Sequence, residues 1–230
     1  MRRKLLSAPY LVWILCGTLI PMAMVFYYGL TGDQGGFTLS NIAAIAETGH
    51  AKALWTSVLL SLVSTVICLL LAYPLGLILK KSGMGQKGLL VFLFVLPMWM
   101  NFLLRTMAWQ VLLEKKGVIN TILQSLGFSG LRLINTPAAI VMGMVYDFLP
   151  FMVMPIYNVL AKIDDRVIEA ARDLGANNFQ VFRYIILPLS VPGIVSGVTM
   201  VFVPALTTFV ISNMLGGGKI LLIGNVIEQS

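Results

Sequence analysis

The sequence predicts an all-α integral membrane protein, a polytopic helix bundle, on three observations. Hydrophobic residues make up 58% of the 230 positions and charged residues 11%, against roughly 45–50% and 25% in soluble domains. The apolar residues gather in runs long enough to cross a bilayer, for which about 20 residues suffice. Lys and Arg gather between the runs, unequally on the two sides. So little lies outside the runs that residues 1–230 read as a single transmembrane domain, and a reaction needing a large soluble domain belongs to another chain.

The runs fall near 9–30, 54–79, 89–113, 138–160 and 189–212. The first follows Met1-Arg2-Arg3-Lys4 and has no small-x-small cleavage site before Asp33, so it reads as a retained signal anchor in contact with membrane lipid. Basic residues 2, 3, 4, 80, 81, 87, 162, 166, 172 and 183 fall on one side, and 52, 115, 116, 132 and 219 on the other. The richer side is the cytoplasmic one, which places the N-terminus inside. Five spans put Ser230 outside, after a loose turn at Leu215-Gly216-Gly217-Gly218-Lys219; a sixth span is expected beyond those visible.

Within this frame, Val118, Ile119, Ile122, Leu123 and Leu126 recur at helical spacing before Gly127, which predicts a short helix on the outer surface. Pro21, Pro74, Pro97, Pro150, Pro155, Pro192 and Pro204 interrupt the runs. Each frees a carbonyl that lipid cannot satisfy, so a cavity-lining bundle is one reading; the general abundance of Pro in membrane helices is the other. Ser57, Ser61, Ser64, Thr65, Cys68 and Ala72 form a small-residue stripe, and Gly193 and Gly197 a small-xxx-small pair, both suited to close helix contact within or between chains.

The most informative stretch is the polar segment 161–188 between the fourth and fifth spans. Lys162, Arg166, Arg172 and Arg183 balance Asp164, Asp165, Glu169 and Asp173, which argues against simple attraction to lipid headgroups. With Val167, Ile168, Ala171, Leu174 and Phe179 interspersed, it reads as a protein-docking element. Gly175 breaks or kinks it, allowing two short helices at an angle.

Glu169-Ala170-Ala171, then Gly175, then Ile185, Leu187 and Pro188 resemble the EAA loop of binding-protein-dependent ABC importer permeases. The stretches Asp147–Pro155, Glu169–Ala176 and Leu221–Ile227 resemble the spermidine/putrescine permeases in particular. The resemblance covers nearly the whole chain and implies a polytopic permease of the bacterial inner membrane. It further implies that Glu169 to Phe182 forms a coupling helix seated in a partner ATPase, with Glu169 a polar contact or cap and Gly175 a position where a side chain would clash. The implied partners are two copies of an ABC ATPase, a second homologous permease subunit and an extracytoplasmic substrate-binding protein. ATP and Mg are used by the ATPase, and no cofactor belongs to this chain.

Other functions lack their residues. A phosphate loop needs Gly-x4-Gly-Lys-Ser/Thr, yet around Gly218-Lys219 the first glycine position is Asn213 and the hydroxyl position Ile220. An intramembrane hydrolase needs paired carboxylates, a Ser/His or Ser/Lys set, or a zinc helix; Asp147 is the one acidic residue within a run and His50 the one histidine, in an outer loop. Cys16 and Cys68 have no close Cys or His neighbours, so no metal site or redox pair is expected. The scattered basic residues carry no nucleic-acid motif. An ungated channel or an ion-coupled carrier has no use for the docking segment.

The expected cargo, a polyamine, follows mainly from the resemblance; ferric ion, sulfate, thiamine and phosphonate importers are related alternatives. Asp147, Tyr146, Trp99 and Trp109 are of types that suit a polycation, while aromatics near span ends also serve as interface anchors. Arg105 and Asp147 are the two charges inside runs, about 12–14 Å below the outer boundary by helical rise. They form an ion pair between spans, or Asp147 faces the path while Arg105 has another partner.

Overall fold

The computed structural model describes residues 8–31, 36–39, 48–82, 96 and 98–229. The chain divides into two compact units, Met1–Lys52 and Ala53–Ser230. In the first, α1 (Ala8–Ile14), a π-helical turn over Leu15–Leu19 and α2 (Ile20–Gly29) follow one another without a break. The wide turn has a local cause. Pro21 lacks an N–H and its ring collides with the carbonyl four residues back; the Ile20 N–H correspondingly bonds Leu15 O, five residues back.

The second unit contains α3 (Thr48–Lys81) from Ala53 onward, α4 (Phe102–Leu113), α5 (Val118–Ser125) and α6 (Pro137–Leu160). The Asn101 side chain caps α4 by accepting from Leu103 N at 2.8 Å. Thr136 caps α6, with Pro137 at the first helical position, where its missing N–H leaves no bond unmade. The short helix expected over 118–126 is α5, ended by Gly127 with bonds from Gly127 N to Gln124 O and Phe128 N to Leu123 O, both 3.0 Å. Among the described residues, four helices are long and apolar enough to cross a membrane: Val12–Gly29, Gly49–Lys81, Pro137–Leu160 and Asn178–Thr207. Of the run expected over 89–113, helix is described over Phe102–Leu113, and residues 89–95 and 97 lie outside the described residues.

Helix α6 is the axis of this unit, with Ile140, Met144, Asp147, Met152, Ile156 and Leu160 all buried. The small-residue stripe of α3 is buried throughout, and it meets α6 where Ser64 Oγ donates to Met144 Sδ at 3.3 Å and Cys68 Sγ to Val145 O at 3.8 Å. On another side lies the helix over Leu187–Thr207. Gly193 and Gly197 bring its backbone against α6: a Cβ on Gly193 would stand 2.9 Å from Pro155 O, and one on Gly197 2.7 Å from Met152 Sδ and 3.2 Å from Met152 O. Both small-residue patterns therefore serve packing within this chain.

The fifth run departs from expectation. Between α6 and it lie α7 (Asp165–Asp173), α8 (Asn178–Val181) and a second π-helical turn (Phe182–Ile186), and the Leu187–Thr207 helix is α9. The run read as 189–212 is broken: α9 stops before Thr208, which is extended at ψ 130°, and α10 (Val210–Gly216) follows. Pro204 removes one backbone donor from the last turns, and Thr207 Oγ1 bonds Val203 O there at 3.3 Å. Nor is the 215–219 turn loose. Leu215 and Gly216 are buried, Leu215 O accepts from Asn135 N at 2.9 Å, and Gly217 ends α10 in the left-handed region. Helix α11 (Ile223–Gln229) follows.

The contact between α6 and α9 is testable. Gly193→Ala pushes a methyl group into the fixed Pro155 carbonyl, and overpacking of this kind costs about 1–3 kcal/mol. Thermal unfolding of the purified protein in detergent should show a clear loss of stability. Gly29→Ala, where nothing lies within 4 Å, should leave the transition in place.

Candidate functional site

The polar segment is built by its caps. Asp164 accepts from Arg166 N at 3.0 Å and opens α7. Gly175, at φ +86°, closes it: Gly175 N bonds Arg172 O at 2.9 Å and Ala176 N bonds Ala171 O at 3.0 Å. Asn177 and Gln180 then bond each other's backbone N–H, at 2.9 and 2.8 Å, to open α8. The coupling helix expected over Glu169–Phe182 is thus two helices. The expected clash at Gly175 is also corrected, because nothing lies within 4 Å of a Cβ there. What the position demands is a left-handed backbone, which disfavours most side chains by about 1–2 kcal/mol.

Glu169, Ala170 and Ala171 lie in α7, where Asp164 rather than Glu169 supplies the cap. Ile185 falls in the π turn, and Leu187 and Pro188 open α9. This turn repeats the pattern of the first: it precedes Pro188 by two residues, and Leu187 N bonds Phe182 O, five back. Lys80 joins the segment to the end of α3 through Asp165 Oδ1 at 3.0 Å and Ile163 O at 2.9 Å, and Arg172 Nη2 donates to Asn178 Oδ1 at 3.1 Å between α7 and α8. Between α3 and the segment is a cavity of about 680 Å³ lined by Lys80, Lys81, Asp165, Glu169 and Arg172 among others. Leu174 is 89% exposed, and Phe179 and Tyr184 are also open. The segment is a capped, charged frame that leaves large apolar side chains uncovered.

The second cluster lies between α4 and α6. Arg105 Nε stands 3.4 Å from Asp147 Oδ1, with the side chains 7% and 1% exposed. Thr106 Oγ1 donates to Phe102 O at 3.0 Å and approaches Asp147 Oδ2 at 3.4 Å. Arg105 Nε and Nη1 make no hydrogen bond among the described residues, so the pair has charge compensation without a bidentate fork. One turn along the same interface, Trp109 and Tyr146 meet edge to face at 5.3 Å. Trp99 stands before α4 and is 77% exposed, apart from this stack.

Sequence reasoning missed a polar knot at the far end of the unit. Asn225, fully buried, donates to Asn213 Oδ1 at 2.6 Å and accepts from Leu222 N at 3.0 Å. Ser57 Oγ accepts from Ile223 N at 2.7 Å, and Ser212 Oγ donates to Ile220 O at 2.6 Å. A lone Asn within Leu221–Ile227 is the signal that could have marked it.

The described residues form a bundle with helices long and apolar enough to span a membrane and a capped, charged segment between the last two of them. Residues 72–229 match the family described as binding-protein-dependent transport system inner membrane component, and the chain belongs to that family: it is an inner-membrane permease of an ABC importer. It is 40% identical over 235 residues to the spermidine/putrescine transport system permease protein PotB of Haemophilus influenzae, covering 99% of this chain and 82% of that protein. It is 39% identical to PotB of Escherichia coli, over 94% and 82%. The Escherichia coli inner membrane ABC transporter permease protein YdcU is 30% identical, over 78% and 62%. Among solved structures, a chain of a bacterial alginate ABC transporter superposes with a TM-score of 0.66 at 19% identity, over 84% of this chain and 69% of that one; this likeness concerns the fold.

Removing one member of a buried ion pair costs about 3–5 kcal/mol, because the other charge is left uncompensated. Asp147→Asn and Arg105→Gln should each lower the yield and melting temperature of the purified protein. The double variant should recover a large part of both. Additive losses in the double variant would show that the two charges do not compensate each other.

Proposed function

We propose that this permease moves polyamines such as spermidine or putrescine from an extracytoplasmic binding protein into the cytoplasm, with its N-terminus and the 161–188 segment on the cytoplasmic side. The reading is supported by 40% identity to a spermidine/putrescine permease along 99% of the chain. The segment docks in a cleft of a partner ATPase, two copies of which hydrolyse ATP with Mg, and a second homologous permease completes the path. The chain itself performs no catalysis and holds no cofactor.

The docking role rests on the arrangement of α7 and α8. Their backbone needs are met locally by caps, so Leu174 and Phe179 remain open for a partner, while Lys80 ties the segment to α3 and the π turn joins α8 to α9. A displacement of the segment therefore reaches two membrane helices at once. Asp147, compensated by Arg105, holds α4 against α6, and the Trp109–Tyr146 stack beside it closes the same interface.

The test is a complex of this chain with its companion permease, ATPase and binding protein, reconstituted in proteoliposomes. ATP turnover should rise with spermidine- or putrescine-loaded binding protein and not with ferric ion, sulfate, thiamine or a phosphonate; stimulation by one of those solutes instead would replace the polyamine reading. Gly175→Val should insert normally yet lose uptake and weaken ATPase association. Gly175→Asn, a residue that visits the left-handed region more readily, should retain more of both. A Gly175→Val complex that assembles and pumps normally would sink the docking role.

A further inference from the structure

Among the described residues there are seven carboxylates, and four of them, Asp164, Asp165, Glu169 and Asp173, belong to the docking segment. Asp147 faces Arg105, and Glu114 is followed directly by Lys115 and Lys116. Glu228 differs from all of these. Its Oε2 accepts from Asn213 Nδ2 at 3.3 Å, a neutral donor, and neither of the two ion pairs among the described residues includes it.

Its setting is built from the knot. Asn225 is fully buried and, through Asn213 Oδ1, fixes the amide that holds Glu228. Ile223 N is tied to Ser57 of α3, which stands about 36 Å by helical rise from Lys81 at the docking end. The carboxylate is therefore toward the opposite end of the second unit from the 161–188 segment. Glu228 is itself exposed, as are Leu221 and Ile227 in the same stretch of chain, 47% and 65%.

We propose that Glu228, held by Asn213, is a subsite for an ammonium group of the transported polycation where it enters the permease. The proposal rests on the polyamine reading and adds the group that receives the charge. Glu228 is bound by a neutral amide and is in neither ion pair among the described residues, whereas Asp147 faces Arg105. An ammonium group donates up to three hydrogen bonds and pairs strongly with a carboxylate.

Glu228→Gln keeps an oxygen for Asn213 and removes the charge, so a purely structural tie between α10 and α11 predicts no change. The reconstituted complex, supplied with saturating spermidine-loaded binding protein, gives labelled spermidine imported per ATP hydrolysed. This ratio should fall about tenfold, the scale set by losing a charged hydrogen bond, with complex yield and stimulated ATP turnover retained. Glu228→Asp should lose less. An unchanged ratio in Glu228→Gln overturns the proposal. A second measurement needs no variant: a photoreactive spermidine analogue delivered to the wild-type complex should label the 223–229 peptide, and labelling confined to other peptides overturns it. A wild-type complex that imports no polyamine overturns the parent reading as well, whereas wild-type import with an unaffected Gln variant overturns the subsite alone.

Discussion

Helices in a bilayer are not pressed together by water, because lipid tails are as apolar as leucine; they associate where backbones can come close enough to pack. The second unit depends on that approach around α6. Gly193 and Gly197 admit α9 on one side, and the buried Ser, Thr, Cys and Ala stripe admits α3 on another. The position of the 161–188 segment is inherited from the same contacts. Tyr73 of α3 shares a hydrogen bond with Ser190 of α9 at 2.8 Å and meets Phe182 edge to face at 5.8 Å, fixing the point where the segment joins the bundle.

Charge is distributed by the same logic. Between α4 and α6 it occurs as a compensated, buried pair, Arg105 with Asp147, since an isolated ion inside a membrane is expensive. In the 161–188 segment acidic and basic residues are interspersed, and side-chain caps open both helices: Asp164 on α7, Asn177 on α8. The apolar residues left over there, Leu174 and Phe179, are therefore free of any duty to the chain's own core.

How much of this was legible follows from the range of each interaction. Runs of apolar residues are local, so the spans over 54–79 and 138–160 correspond closely to α3 and α6. Capping and left-handed turns are local too, which is why Gly127 and Gly175 could be read as helix ends. The steric reason expected at Gly175 was wrong because crowding depends on neighbours remote in sequence, while its φ depends on the turn itself. The break at Thr208 escaped notice since hydropathy continues smoothly through it, and the knot escaped because Ser57 and Ile223 are 166 residues apart. The Arg105–Asp147 encounter was foreseeable from depth alone: two opposite charges at the same level on adjacent antiparallel spans.

The π turn before Pro188 sets an angle of rotation about the helix axis. Helices α8 and α9 with this turn form one rod over Asn178–Thr207, about 45 Å long at α-helical rise. One residue corresponds to about 100° of rotation in such a rod. The wide turn consequently fixes the azimuth of Phe179 relative to Gly193 and Gly197. A rod of the same length without Pro188 would turn another side of α8 outward while seating the same glycines on α6.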